Sequence, residues 1–148
     1  MAVETTGDDP RLARIGGVFA ALTQGRYPRV ASGEAIVGGK VHRVLLACDG
    51  AGDEKQIDQL SEGTRDQLYL ALRLVAIEDH AASGAPALPF IADDILQTFD
   101  DGRALAAFHA LATLSAHTQV IVLTHHDHLA VIAGLLPAGI ARIQHLPV

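Results

Sequence analysis

The sequence predicts an α/β fold: a mainly parallel sheet with flanking helices, preceded by a helix and a β-hairpin. Three observations carry this. Of the 148 residues 49% are hydrophobic, only 4% are aromatic and none is Trp, so the core must be aliphatic. From residue 61 onward helical and strand-like patterns alternate, which implies parallel strands joined by helical crossovers. Two of the strand-like runs stop abruptly at polar clusters, and ligands collect at the carboxyl ends of parallel strands.

Length and charge narrow the class. A chain of 148 residues suffices for one domain with a real core. Its hydrophobic fraction is far too high for a disordered chain. A net charge of −6 argues against a free-standing nucleic-acid binder but leaves DNA contact by a larger assembly open. The single Cys48 rules out a framework of internal disulfides. Met1 to Pro10 is polar and acidic, unlike a signal peptide, and no apolar run approaches the ~20 residues of a membrane span. A soluble, cytoplasmic protein is expected.

Residues 1–10 read as a leader and 11–148 as the domain. Leu12, Ile15, Phe19 and Leu22 recur at helical spacing, and Gly25 is the expected stop. Val30 to Val37 and Lys40 to Cys48 read as strands joined by a Gly38-Gly39 turn. Asp49 to Asp53 is a loop. Residues 61–80 form the strongest helix, with Leu68, Leu72, Val75 and Asp79 on one face and a capping-box pattern at Thr64 to Gln67. Leu88 to Ala92 is a short apolar strand, 101–116 an Ala-rich helix, and Gln119 to Leu123 a β-branched strand suited to burial on both faces. A helix follows to about Leu135, and Ile140 to Leu146 reads as a last strand.

Three constellations can carry chemistry. Asp93-Asp94 ends the first apolar strand. Adjacent carboxylates are costly together without a cation or a shared proton, so either a hard cation such as Mg²⁺ sits there or the pair begins a loop and caps the next helix. Thr124 to His128 ends the second strand with three His and an Asp. It reads as one functional His facing a phosphate or water, as a solvated loop, or as a metal cluster. Adjacent His125 and His126 lack the spacing of a familiar tetrahedral site, and less than about one Zn²⁺ per chain is expected. Leu60 to Thr64 runs into a helix N-terminus, which is either an anion site or a plain cap. Gly33 to Lys40 only mimics a Walker A loop: Glu34 stands at the first glycine position and Val41 after the lysine.

In order and spacing these features resemble the C-terminal half of an ABC-type P-loop ATPase head. Leu60-Ser61-Glu62-Gly63-Thr64 looks like the signature loop, Leu88 to Asp94 like the Walker B strand, Phe99-Asp100 like the D-loop, and Val120 to His125 like the switch-histidine strand. The branch it most resembles is the bacterial YhaN-type proteins, relatives of the SMC, RecF and SbcC ATPases of chromosome maintenance and DNA repair. The resemblance runs from about Arg11 to Leu146 and covers the C-terminal lobe alone, with the first helix as the stub of a returning coiled coil. Asp94 stands where most of the wider family has Glu, a feature the YhaN-type branch shares.

The resemblance implies ATP and Mg²⁺ as ligands and a role for each residue. Asp93 would hold the metal, Asp94 would orient and deprotonate the attacking water, and His125 would contact the γ-phosphate. Ser61 and the Gly63 N–H would reach the γ-phosphate held by the opposite head, and Asp100 would couple the two sites. The implied partner is a Walker A-bearing lobe or second head in a dimer, with DNA engaged only by the full assembly. ATP hydrolysis is expected only once that lobe is supplied. Two other readings stay open: a metal-dependent phosphohydrolase using Asp93, Asp94, His125, His126 and His128, and a non-catalytic interaction module.

Overall fold

The computed structural model describes residues 9–147, so residues 1–8 of the expected leader lie outside it. The described residues form two compact units that divide at Val75 and Ala76, within one helix.

The first unit opens with helix α1 (Pro10–Leu22). Asp9, expected in the leader, is its N-cap: its Oδ1 accepts from the Arg11 N–H at 2.9 Å. Proline at the first helical position has no N–H to leave unpaired. Ile15, Gly16, Phe19 and Leu22 are buried, while Leu12, expected on the same stripe, is only half-buried. The helix ends at Leu22, before the expected Gly25 stop: Gln24 takes the left-handed φ of +54° and donates to the Ala21 carbonyl at 3.2 Å, and the Gly25 N–H donates to the Ala20 carbonyl at 2.8 Å. Tyr27 then stacks on Phe19 with ring centroids 5.5 Å apart.

Strands β1 (Arg29–Val37) and β2 (Lys40–Cys48) pair antiparallel from Arg29 opposite Cys48 to Val37 opposite Lys40. Gly38 and Gly39 both take positive φ, the type I′ geometry that matches the strand twist. The base of the hairpin is buried through Ala31, Leu46 and Cys48. Its tip exposes Ile36, Val37 and Val41. A third strand, β3 (Glu54–Gln56), pairs with β2 only at Leu46 to Cys48, and a 3₁₀ turn (Ile57–Gln59) follows. Neither element was expected, because runs of three residues carry no readable period.

Helix α2 (Glu62–Ala82) begins in the first unit. Its start lies before the expected capping box: Thr64 is already helical and buried, and the Ser61 hydroxyl accepts from the Thr64 N–H at 3.4 Å. The buried arc runs through Thr64, Gln67, Leu68, Ala71, Leu74 and Val75, which leaves the expected face members Leu72 and Asp79 half-buried. Within this arc the fully buried Gln67 donates from Nε2 to the Leu22 carbonyl at 2.7 Å, closing the end of α1.

The second unit is a β-α-β crossover with an added helix. Strand β4 (Phe90–Asp93) runs parallel to β5 (Val120–Leu123), with Phe90 opposite Val120 and Asp93 opposite Leu123. Helix α3 (Asp101–Leu114) connects them and α4 (Asp127–Ala133) follows. Strand β4 starts two residues later than predicted; the residue before it, Pro89, has no N–H to give a ladder. Ala104, Ala107, Phe108, Leu111 and Leu114 of α3 and Leu129 and Ile132 of α4 are buried.

Three expectations need correction. The sheet is not mainly parallel: three of the five strands form the antiparallel sheet and only β4 and β5 are parallel. The parallel pair is not buried on both faces, since Ile91 is 58% and Leu123 43% exposed. Ile140 to Leu146 forms no strand; a strand needs a neighbouring edge, and this run makes no ladder among the described residues. No helix of the described residues is long and apolar enough to cross a membrane.

Candidate functional site

The parallel register brings the ends of β4 and β5 side by side. The Asp94 N–H donates to the Leu123 carbonyl at 2.9 Å, one step beyond the ladder. Asp94 takes φ +49°, a left-handed conformation uncommon outside glycine and best tolerated by Asp and Asn. The turn sets the Asp94 carboxylate against the next residue but one along β5's exit, and His125 Nδ1 lies 2.7 Å from Asp94 Oδ2. The imidazole is largely exposed, so solvent screens this contact.

The carboxylate's other oxygen, Oδ1, is shielded from solvent and has no hydrogen-bond partner. Burial raises the Asp94 pKa, but hydrogen bonds from His125 and Thr124 and the His125 charge outweigh it. The net effect holds the carboxyl below its ordinary value. Asp94 is therefore ionised at neutral pH. Thr124, read in the sequence only as the start of the polar cluster, is a member of this site. Its Oγ1 also accepts from the His126 N–H at 3.1 Å, which bends the chain just after β5.

That bend brings the side chains of His125 and His126 together. In an extended strand neighbouring side chains point to opposite faces. Here the two rings lie 4.0 Å apart between centroids, with His128's ring 5.6 Å from that of His126. Ligating atoms of Asp94, His125 and His126 all fall within 4.8 Å of one another.

The other predicted residues are placed separately. Asp93 ends β4 and is exposed. Asp100 is the N-cap of α3: it accepts from the Arg103 N–H at 2.9 Å, and its Oδ2 lies 3.3 Å from Arg103 Nε. Ser61 and Gly63 belong to the first unit, at the start of α2, where Ser61 Oγ and Thr64 Oγ1 share a 2.8 Å hydrogen bond. The donor chemistry fits Mg²⁺, since Asp93 offers an exposed carboxylate and Asp94 an oxygen without a partner.

These features occur on the fold of SMC-type head domains. The Smc head of Pyrococcus furiosus, solved with an extended coiled coil and bound to the C-terminal domain of ScpA, superposes with a TM-score of 0.59 at 20% identity, over 83% of this chain and 30% of that one. The SMC head domain of Thermotoga maritima gives 0.56 at 19% identity, over 84% and 41%. An SMC ATPase described for its ATP-driven dimerization and DNA-stimulated activation gives 0.61 at 20% identity, over 83% and 71%.

In sequence, the chain is 30% identical over 122 residues to the uncharacterized protein YhaN of Bacillus subtilis. That match covers 81% of this chain but only 12% of YhaN. No family model matches the sequence.

Proposed function

We propose that this chain is the C-terminal lobe of an SMC-type ATPase head and supplies half of a nucleotide-hydrolysis site. The observation that carries this reading is the Asp94–His125 contact at the paired ends of two parallel strands, on a head-domain fold. MgATP, when bound, supplies the phosphoanhydride and the charge-neutralising metal.

Asp93 holds the metal through its exposed carboxylate. Asp94 orients the attacking water and takes its proton through its carboxylate, whose accessible oxygen is Oδ2, since Oδ1 is shielded. Its depressed pKa makes it a weak base, so its main contribution is to orient the water and place negative charge behind it. His125, fixed by Asp94 through Nδ1, presents the far edge of its ring to the γ-phosphate. This division of labour suits phosphoryl transfer, in which positioning and electrostatics do most of the catalysis. Ser61 Oγ and the Gly63 N–H, at the positive end of α2, reach the γ-phosphate held by an opposing head. Asp100, on the exposed first turn of α3, couples the two sites.

The β- and γ-phosphates need a Walker A loop, which is not among these 148 residues. A Walker A-bearing lobe from elsewhere completes the site, heads pair as dimers in the cytoplasm, and DNA is engaged by that assembly. Phosphate release from the pure 148-residue chain with MgATP tests the reading, and no turnover above background is expected. Robust turnover abolished by Asp94→Asn would contradict it and favour a metal-dependent phosphohydrolase.

A further inference from the structure

We propose that Asp94, His125 and His126 bind a single divalent transition ion of borderline softness, such as Zn²⁺, Co²⁺ or Ni²⁺, and that the bound ion withdraws Asp94 and His125 from nucleotide hydrolysis. The second half rests on the function proposed above; the first half stands without it.

The donor set is one carboxylate oxygen and two imidazole nitrogens, all within 4.8 Å of one another. An ion about 2.0–2.2 Å from each donor needs donors roughly 3–4 Å apart. The Asp94–His125 pair, now at 2.7 Å, must open slightly, which its exposed imidazole permits. The donors come from the ends of two hydrogen-bonded strands, and the Thr124–His126 turn holds the second ring beside the first. Asp94 Oδ1 is shielded and unpartnered, a further oxygen that an ion could satisfy.

The surrounding charge favours a cation. Asp93 and Asp127 flank the ligands in sequence, and Arg103 is the only Lys or Arg between residues 90 and 128. Arg103 is itself paired with Asp100. Nitrogen donors suit Zn²⁺, Co²⁺ and Ni²⁺ and are poor ligands for Mg²⁺. The site therefore discriminates between the two kinds of ion: Mg²⁺ is left to Asp93, and the histidines select the softer one. An ion held by three protein ligands keeps an open position for water. It also occupies the Asp94 carboxylate and the His125 ring, so neither can serve a phosphate at the same time.

The test is a Co²⁺ titration of the full chain, read by the visible d–d absorption of the bound ion. A saturable band at one Co²⁺ per chain is expected, undisturbed by excess Mg²⁺. Loss of even an outer-shell partner costs roughly 10–100-fold in metal affinity, so His126→Ala should weaken Co²⁺ by at least about tenfold. His128→Ala should leave it unchanged. His126→Gln, with the same readout, covers the case in which the alanine variant misfolds. Absence of a saturable band in the folded chain would overturn the site, as would equal affinity in the His126 variants or equal loss in His128→Ala.

The regulatory half is read in the complex with a Walker A-bearing lobe. Zn²⁺ should suppress phosphate release there and spare His126→Ala. Hydrolysis insensitive to Zn²⁺ despite intact Co²⁺ binding would overturn that half. A complex that never hydrolyses ATP would count against the ATPase reading and leave the Co²⁺ result standing.

Discussion

Asp94 and His125 lie 31 positions apart and meet at 2.7 Å because β4 and β5 end in register. The contact depresses the Asp94 pKa, and the sign of its effect on stability follows. A carboxyl whose folded pKa lies below its unfolded value of about 4 binds fewer protons folded than unfolded. Its stabilisation is fully present above about pH 4 and is lost as pH falls through the folded pKa. The denaturation midpoint of the wild type should therefore drop more steeply than that of Asp94→Asn as pH falls below about 4. Parallel slopes would show that Asp94 is not held ionised by its neighbours.

Adjacent glycines in α1 should respond oppositely to alanine. A Cβ at Gly17 meets nothing within 4 Å, so Gly17→Ala should stabilise by about 0.5–1 kcal/mol through helix propensity. A Cβ at Gly16 would sit 3.1 Å from the Val30 backbone nitrogen, and strand backbone yields poorly. Gly16→Ala should therefore be destabilising in urea denaturation.

Gln67 is fully buried with Oε1 unpartnered and Nε2 bonded to the Leu22 carbonyl. Gln67→Leu removes the donor and should cost about 1–3 kcal/mol. Gln67→Glu puts a charge against that carbonyl and should cost more, about 3–5 kcal/mol, or leave the glutamate protonated. Equal effects would mean that the Leu22 contact is unimportant.

The parallel sheet has only two strands, and both of its outer edges are unpaired among the described residues. Exposed Ile91 and Leu123 lie on one of its faces. Such surfaces promote association, so the chain alone should self-associate in light scattering. Ile91→Lys and Leu123→Lys should reduce that while changing stability by no more than about 0.5 kcal/mol. A compact monomer stable well above ~65 °C would contradict the expectation.

Elements with strong local signals were legible in the sequence. The hairpin from Arg29 to Cys48 follows from Gly38-Gly39 between two β-rich runs, and the strand ends at Asp94 and His125 follow from an abrupt change in polarity. Elements that depend on a neighbour were not. Glu54 to Gln56 is a strand only because β2 lies beside it, while Ile140 to Leu146 carries apolar residues and finds no edge. The clustering of His125 and His126 was hidden for a related reason. It comes from a bend held by the Thr124 hydroxyl, and a motif-spacing argument assigns that hydroxyl no role.

On the proposed function, Asp94 and His125 form half of a nucleotide site that a second lobe completes. Its most direct test is single-turnover phosphate release by this chain co-purified with a Walker A-bearing lobe, compared with the same complex carrying Asp94→Asn and with the chain alone. Release by the complex is expected, with at least about 100-fold slower release by the variant with MgATP still bound and none by the chain alone. An Asp94→Asn complex that hydrolyses MgATP at the wild-type rate would contradict it.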